Sequence, residues 1–281
     1  MATPEAGTTE LDHSYLETVT IQGREFQSYS INHRIYFGPV DDDEAERLEL
    51  QQRVFNKVFD DRLIFPPVSQ PKKVLDCGYG SGAWAVEVAE EYPGCEVIGI
   101  DISPHMKPDE TPENLWLQES TFLGGQATFG IFRGEELQLT DLVLKRGGWI
   151  QAVELYPNVQ SDNGTIEDEH ALRQWSLKYR RGLEDLKDIR VGTRLGQLLS
   201  SAGFVQVETK MIPLPLSAWS NDPRMRDIGA INRDNVHSFL SSMALYPFTQ
   251  RLHMSREELE VLLARARQEA DNPSLKAYFP L

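Results

Sequence analysis

The stretch VLDCGYGSGAWAVEV constrains the fold more than any other part of this sequence. It begins with an apolar run that ends at Asp76 and closes with a helical pattern. Three glycines separate the two at every second position: Gly78, Gly80 and Gly82. A second apolar run, which ends near Asp101, follows the helical pattern. Strand, glycine turn, helix and strand form a βαβ unit, so we expect an α/β fold with a mostly parallel sheet flanked by helices.

The glycine loop is suited to holding a ligand. Glycine accepts positive φ angles and has no side chain, so a flat ligand can lie directly against the backbone. The helix that starts near Gly82 points its free N–H groups at the loop. Ligands of open α/β sheets bind at this place, beyond the carboxyl ends of the strands. A glycine turn that serves packing alone is the alternative.

The spacing of the loop indicates which ligand it holds. A dinucleotide fingerprint reads G-x-G-x-x-G, and Ala83 stands at its last position here, which such sites tolerate. The acidic Asp76 ahead of the first glycine would repel a pyrophosphate and suits a cationic amino-acid ligand. Asp101 lies 19 positions after Gly82 (101 − 82), where a carboxylate can accept both hydroxyls of a ribose. The two acids together predict S-adenosylmethionine as the cofactor rather than NAD.

The overall charge argues against several classes of partner. The net charge is −15 and the pI is about 4.9, so neither a nucleic-acid backbone nor an anionic membrane surface is an expected partner. No apolar stretch approaches the roughly 20 residues of a membrane span, and the first residues do not resemble a signal peptide. The two cysteines, Cys77 and Cys95, lack the spacing of a metal site. We therefore expect a cytoplasmic or nuclear protein without a bound metal.

The chain divides into four expected regions. Residues 1–20 are small and polar and are expected to be flexible. Residues 21–70 contain an aromatic, basic segment and then a helix, residues 71–212 form the α/β core, and residues 213–281 form helices that cap the substrate. Within the core, one strand is predicted after the paired glycines that end at Gly148 and another after Gly203.

Three stretches resemble a known family. VLDCGYGSGAWAVEVAEEYPGCEVIGIDISP is similar to the first two cofactor motifs of class I S-adenosylmethionine-dependent methyltransferases. The flanking stretches, which begin REFQSYSINHRIYF and RGGWIQAVELYPNV, narrow the resemblance to the fungal methyltransferases of secondary-metabolite clusters. That group also contains the global regulator of such clusters. The resemblance covers most of residues 24–270.

The resemblance implies a Rossmann-like class I methyltransferase fold: a seven-stranded, mostly parallel sheet with an N-terminal lid and C-terminal helices. The methionine part of the cofactor would lie against Asp76 and the three loop glycines. Asp101 would hold the ribose, and Ile102 would lie against the adenine. Tyr36, in the lid segment SYSINHRIYF, would contact the cofactor, with aromatic packing under the lid as the alternative.

Two further residues are candidates for catalysis. Glu154 lies on the predicted strand WIQAVELY, a position that faces the cofactor cavity in the resembling family, and a buried, hydrogen-bonded glutamate is the alternative. His170 opens a predicted helix two positions after Asp168, and a histidine in solvent is the alternative. Methyl transfer depends mainly on positioning the nucleophile beside the methyl group, so a general base is optional.

The sequence departs from the family pattern in one region. Asp101 and Gly147 are only 46 positions apart (147 − 101), and no strand of the usual FD type follows the predicted third strand NLWLQ. Three explanations are open. In the first, the gene model has lost an exon edge. In the second, ATFGIF fills the gap in a rearranged sheet, and Glu119 replaces the adenine-binding acid. In the third, the fold keeps a pocket and has given up methyl transfer.

These observations give a first hypothesis and two alternatives. The first is an S-adenosylmethionine-dependent methyltransferase that acts at O, N or C on a small molecule of secondary metabolism. The second is a methyltransferase-like protein repurposed for a non-methylating step such as a pericyclic rearrangement. The third is a regulatory protein that works within a complex. A small-molecule acceptor is the expected partner, and a homodimer or a regulatory protein partner is compatible with the sequence.

Overall fold

The computed structural model describes residues 13–119 and 144–281. Its strands are β1 (Thr18–Ile21), β2 (Arg24–Gln27), β3 (Lys73–Cys77), β4 (Glu96–Asp101), β5 (Leu115–Glu119), β6 (Gln160–Ser161), β7 (Pro213–Pro215) and β8 (Ala277–Pro280). Its α-helices are α1 (Ser28–Asn32), α2 (Asp42–Val58), α3 (Ala83–Glu91), α4 (Ala171–Leu183), α5 (Leu195–Ser201), α6 (Pro223–Ala244) and α7 (Arg256–Asp271). Short 3₁₀ helices span His13–Tyr15 and Val191–Arg194, and a π-helix spans Leu245–Arg251.

A three-stranded parallel sheet carries the glycine loop, as predicted. Its order is β3-β4-β5, and Asp76 lies opposite Gly99 while Asp101 lies opposite Glu119. Helix α3 crosses from β3 to β4 and buries Ala85, Val88 and Ala89 against the sheet. The α/β class and the Rossmann-like βαβ unit are therefore confirmed. Among the described residues this parallel sheet has three strands, against the seven that the resemblance implies.

The N-terminal segment folds against the parallel sheet. Strands β1 and β2 pair as an antiparallel hairpin that leads into α1, so secondary structure begins inside the stretch 1–20 that was expected to be flexible. Buried Gln27 donates from Nε2 to the backbone carbonyl of Ile102 at 2.9 Å. Asp41 then caps α2 by accepting a hydrogen bond from the backbone N–H of Glu44. This segment thus approaches the carboxyl end of β4.

The C-terminal helices enclose the largest apolar core. Trp175 of α4 is fully buried and packs near Phe239, Phe248 and Phe279, and its indole N–H donates to the carbonyl of Leu240 at 2.9 Å. A second sheet of order β6-β8-β7, antiparallel throughout, covers one side of these helices. In the described part of the chain, no helix has the length and apolar character that crossing a membrane requires.

Three predictions about elements need correction. The segment WIQAVELY is not a strand, because the bond from Tyr156 N–H to the carbonyl of Pro280 does not make a ladder. The strand expected after Gly203 is reduced to β7. Helix α6 begins at Pro223 rather than at Asn232, where the predicted helical stretch NRDNVHSFLSSMALYPFTQRL starts, because Asp222 caps it and proline is favoured in the first turn. The expected strand ATFGIF lies outside the described residues.

Candidate functional site

The glycine loop takes the strained backbone that its sequence predicts. Gly78, Gly80 and Gly82 have φ angles of 83°, 57° and 76°, a region that side-chain-bearing residues rarely adopt. The loop is fixed by hydrogen bonds from Gly78 N–H to the carbonyl of Ile100 and from Gly82 N–H to the carbonyl of Tyr79, both 2.7 Å. Gly82 caps α3, so the free N–H groups of that helix point toward the loop.

Asp101 is held at the carboxyl end of β4 by two backbone donors. Gly80 N–H donates to Oδ2 and Ser103 N–H donates to Oδ1, both at 2.9 Å. Burial raises the pKa of Asp101 to about 6, although these bonds oppose the rise. Each carboxylate oxygen can accept a second hydrogen bond. The side chain is therefore fixed in place and retains the capacity to accept two hydroxyl groups of a ribose.

Asp76 supplies a second acid at the end of β3. Burial raises its pKa to about 7, and the charge of Asp101 adds to the rise. A cation placed beside this carboxyl would lower its pKa again, because opposite charges favour the ionised form. The pair therefore suits a ligand with both hydroxyls and a positive charge, and the residues present fit S-adenosylmethionine.

The remaining residues predicted for the cofactor lie along the same sheet edge. Ile102 follows Asp101 and is buried, with its carbonyl bound to Gln27. Glu119 ends β5 directly opposite Asp101, which is the place where the rearranged-sheet hypothesis put an adenine-binding acid. Tyr79, inside the loop, has a buried hydroxyl with no hydrogen-bond partner in the described part of the chain.

A cavity of about 40 Å³ lies between the N-terminal segment and the C-terminal helices, and we call it the Glu154 cavity. Its polar side chains are Tyr36, Glu154, Tyr179 and Lys187. Apolar residues form the rest of its wall, and Phe37, Phe239 and Met243 are among them. The structure thus brings Tyr36 and Glu154 together, apart from the glycine loop.

The ionisable groups of this cavity are shifted by burial. Burial raises the pKa of Glu154 well above its usual value, and its Oε2 atom is buried with no hydrogen-bond partner in the described residues. Burial lowers the pKa of Lys187 to about 7, while the charge of Glu154 opposes this. Burial also raises the pKa of Tyr179, and the charge of Glu154 adds to that rise.

Tyr36 lines the Glu154 cavity and is also affected by the charge of Asp101, next to the glycine loop. Its ring lines the Glu154 cavity, and a Cβ at Gly38 would collide with its hydroxyl. Burial raises the pKa of Tyr36, and the charges of Glu44 and, more weakly, Asp101 add to the effect. The side chain of Tyr36 is therefore affected by the charge of Asp101.

His170 lies outside the Glu154 cavity, at the start of α4. It caps the start of α4, and its Nδ1 accepts a hydrogen bond from the backbone N–H of Glu167 at 3.0 Å. It does not line the Glu154 cavity.

Lys187 and Tyr179 line the Glu154 cavity but were not identified as candidates from the sequence. Lys187 stands between acidic neighbours in EDLKD, a pattern typical of a solvent-exposed helix end, so no sequence signal marked it.

Comparison with known proteins supports the resemblance. No protein-family model matches the chain. It is 26% identical over 275 residues to the secondary metabolism regulator laeA of Aspergillus flavus, an alignment that covers 91% of this chain and 73% of that protein. It is 27% identical over 267 residues to the secondary metabolism regulator LAE1 of Cochliobolus heterostrophus, with 87% of each chain covered.

A third relative carries an enzymatic name. The protein-methionine methyltransferase laeA of Emericella nidulans is 27% identical over 264 residues, which cover 87% of this chain and 70% of that protein. Among solved structures, Haemonchus contortus phosphoethanolamine N-methyltransferase 2 in complex with S-adenosyl-L-methionine matches with a TM-score of 0.41 and 14% identity. The match covers 82% of this chain and about half (51%) of that one, and it is too distant to add to the fold described above. The chain is similar over most of its length to the laeA and LAE1 secondary metabolism regulators of fungi, in agreement with the resemblance of its cofactor motifs and their flanking stretches.

Proposed function

We propose that this protein is an S-adenosylmethionine-dependent methyltransferase. The observation that carries the proposal is the fixed carboxylate of Asp101 beside the glycine loop, held by the N–H groups of Gly80 and Ser103. The cofactor supplies an electrophilic methyl group on a sulfonium. The enzymatic name of the Emericella nidulans relative supports the same activity.

Each residue of the site has a role in binding the cofactor. Asp101 accepts the ribose hydroxyls, and Asp76 accepts the ammonium group of the methionine part. Ile102 packs against the adenine, and Glu119 accepts its amine at the end of the neighbouring strand. The glycine loop admits the methionine part because its backbone carries no side chains there.

The acceptor that fits best is a small molecule. The Glu154 cavity is enclosed by the lid segment on one side and by α4 and α6 on the other. Glu154, not His170, is the acid or base candidate that lies within this cavity. A protein side chain is the competing acceptor, because one relative is named for methylating protein methionine.

A regulatory role is the second candidate. Two of the relatives described above are named as regulators, and the described parallel sheet has three strands rather than seven. A regulator of this kind could retain the cofactor site and act through a protein partner. Cofactor binding and methyl transfer are therefore separate questions, and cofactor binding is tested first.

Calorimetric titration with S-adenosylmethionine and S-adenosylhomocysteine tests the proposal. We expect micromolar affinity for the native chain and at least about tenfold weaker binding for Asp101→Asn, since a charge-assisted hydrogen bond contributes about 1.5–3 kcal/mol. Asp109→Asn is the matched control, because Asp109 is exposed on the same loop region and should leave affinity unchanged. Absence of binding by a folded native chain, or equal affinity for Asp101→Asn, would contradict the proposed cofactor site.

A further inference from the structure

The Glu154 cavity combines apolar walls with two buried ionisable groups. Phe37, Phe239 and Met243 form flat or flexible apolar walls, which accommodate the face of a ring. The ammonium nitrogen of Lys187 lies 5.3 Å from the ring centre of Phe37 and 6.0 Å from that of Tyr36. Burying charged groups among apolar side chains is costly, so their retention here indicates a role toward a ligand.

The unsatisfied oxygen of Glu154 gives a second, independent indication. Its Oε2 atom is fully buried and has no hydrogen-bond partner in the described residues, which costs about 1–3 kcal/mol. The side chain cannot easily move away, because Gly192 packs so closely that a Cβ there would lie 2.7 Å from Glu154 Cγ. A ligand that exchanges a hydrogen bond with this carboxyl would satisfy the atom, because the raised pKa of Glu154 lets it carry a proton.

The protonation states of the cavity limit the class of ligand. Burial raises the pKa of Glu154 and lowers that of Lys187, so both groups are neutral near pH 7 and neither offers a counter-charge to a permanent ion. A thioether has no proton to give to Lys187 and needs no base. A neutral, planar ring with a weakly acidic hydroxyl suits the cavity: the ring packs against the aromatic wall, the hydroxyl oxygen accepts a hydrogen bond from the protonated carboxyl of Glu154, and the hydroxyl proton passes to Lys187.

We propose that the Glu154 cavity binds a phenolic or enolic hydroxyl and that Lys187 accepts the proton of this hydroxyl during O-methylation. This inference rests on the proposed function and names the acceptor class of the same site. The volume of about 40 Å³ exceeds what one water needs, so it admits the hydroxyl end of a ring, and Met243 is the flexible wall beside it.

The proton and electron balance of the step is simple. The acceptor oxygen forms a new C–O bond to the methyl carbon while the C–S bond of the sulfonium breaks, and that electron pair remains on sulfur. The hydroxyl proton passes to the neutral amine of Lys187, which becomes an ammonium group. Burial lowers the pKa of Lys187 to about 7, so the neutral amine is available near neutral pH.

The groups around Lys187 are consistent with this role. Glu154 faces it from the segment WIQAVELY, Tyr36 from the lid and Tyr179 from α4. Behind Tyr36, the buried ion pair of Glu44 and Arg47 at 2.7 Å adds no net charge. The charge of Asp101 also contributes to the raised pKa of Tyr36, a wall residue of the cavity.

The test uses 4-nitrophenol, whose ionisation changes its visible absorbance, and it requires no methyl transfer. We expect the native chain to bind it and to shift its ionisation toward lower pH, because the ammonium form of Lys187 stabilises the phenolate. Lys187→Met should weaken binding by at least tenfold and remove the shift. Lys187→Arg should restore the shift, because it keeps a cation, and Lys210→Met is a matched control at an exposed position.

The readouts separate this inference from the proposed function. The thermal midpoint of Lys187→Met reports folding, and we expect no loss, because replacing a buried ion by an apolar side chain is often neutral. If the native chain binds S-adenosylmethionine but not 4-nitrophenol, or if Lys187→Met binds the phenol as tightly as the native chain, the inference is overturned. If 4-nitrophenol binds through Lys187 while the cofactor does not, the acceptor site stands and the proposed activity fails.

Discussion

Asp76 is the next-to-last residue of β3 and Asp101 is the last residue of the neighbouring parallel strand β4, and both side chains are only partly accessible to water. Burial raises the pKa of Asp76 to about 7 and that of Asp101 to about 6. Two acids that hold protons near neutral pH reduce the stability of the free protein. The same arrangement favours a cationic ligand, because its binding relieves the repulsion between them. The cofactor site therefore gains affinity from groups that do not stabilise the fold.

The substitution Asp76→Asn should stabilise the free protein above neutral pH. The native carboxyl keeps its proton up to about pH 7, whereas an ordinary aspartate loses it near 3.8. The native state is therefore favoured at low pH and loses stability as the pH rises through this window. We expect Asp76→Asn to be more stable by an amount of the order of 2 kcal/mol above pH 7, with a difference that shrinks steadily toward pH 4.

Urea unfolding across this pH range measures the effect, with Asp109→Asn as the control. A difference that does not depend on pH would show that the carboxyl of Asp76 is not the titrating group. In the same series, cofactor affinity of Asp76→Asn should fall while stability rises.

Affinity for S-adenosylmethionine should itself depend on pH. Because the bound cation favours ionised carboxylates, binding should release protons where Asp76 and Asp101 are partly protonated, at about pH 6–7. Affinity should therefore decrease as the pH falls below 7. Calorimetry in buffers of different ionisation enthalpy reports the number of protons released, and a value of zero near pH 6.5 would contradict the assignment.

At the scale of single residues, the sequence predicted the positions of the glycine loop and Asp101 but not the Glu154 cavity. The loop glycines and Asp101 lie within one βαβ unit, so their spacing along the chain fixes their positions in space. The Glu154 cavity is built from the lid, an irregular segment and α4, which are far apart in sequence. Lys187 could not be predicted, because its burial depends on how these segments pack.

The start of helix α2 shows how one residue connects two elements. Asp41 caps the helix through Glu44 N–H, and it also accepts two hydrogen bonds from the guanidinium of Arg24 on β2, one of them 2.6 Å. Although burial opposes the change, the hydrogen bond from Arg24 lowers the pKa of Asp41. Asp41 therefore joins the β1–β2 hairpin to helix α2. Leu48 of α2 in turn lies beside Gly80 of the glycine loop.

Replacing Asp41 by alanine should cost about 2–3 kcal/mol. The loss of an N-cap accounts for about 1 kcal/mol, and the partly buried pair with Arg24 accounts for the remainder. The contribution of Asp41 is present above the usual aspartate pKa and is lost as the pH falls through its lowered native pKa. The loss of stability caused by Asp41→Ala should therefore be largest at neutral pH and should decrease in strong acid.

Thermal or urea unfolding checks this value against Asp42→Ala. Asp42 lies in the same first turn and is exposed, so its replacement should change stability by no more than about 0.5 kcal/mol. Equal effects of the two substitutions would show that the helix dipole matters more than the bond to Arg24.

Element prediction succeeded where local signals decide and failed where neighbours decide. The glycine turn that leads from β3 into α3 is present, as the sequence predicted. The segment WIQAVELY has the composition of a strand, but strands need hydrogen-bonded partners on a sheet. Those partners are set by the rest of the fold, so composition alone gave the wrong answer there.

At the scale of the whole molecule, the described residues form two main apolar cores of unequal size. The larger one surrounds Trp175 and includes α4, α6, α7 and β8. The smaller one lies between α3 and the parallel sheet. In that sheet Leu75 is 39% exposed and Trp116 is 47% exposed, within the part of the chain that the structure describes. Less apolar burial implies a lower local stability for the part that binds the cofactor.

Hydrogen exchange should therefore separate the two cores. In the free protein we expect slower exchange in α6 and α7 than in β3, β4 and the glycine loop. S-adenosylhomocysteine should slow exchange in the loop and around Asp101, because a ligand stabilises the state that it binds. Helix α7, which lies in the larger core, should show little change.

The ligand effect should also extend to the lid. Gln27 is bonded to the carbonyl of Ile102, so fixing the end of β4 should also slow opening of β2 and α1. Asp101→Asn treated with the same ligand is the control and should show no added protection. If protection stays within the glycine loop, the lid is not coupled to the cofactor site. If it reaches β2 while α7 is unchanged, the lid and the parallel sheet form one cooperative unit, and the cofactor orders one wall of the Glu154 cavity before the acceptor enters.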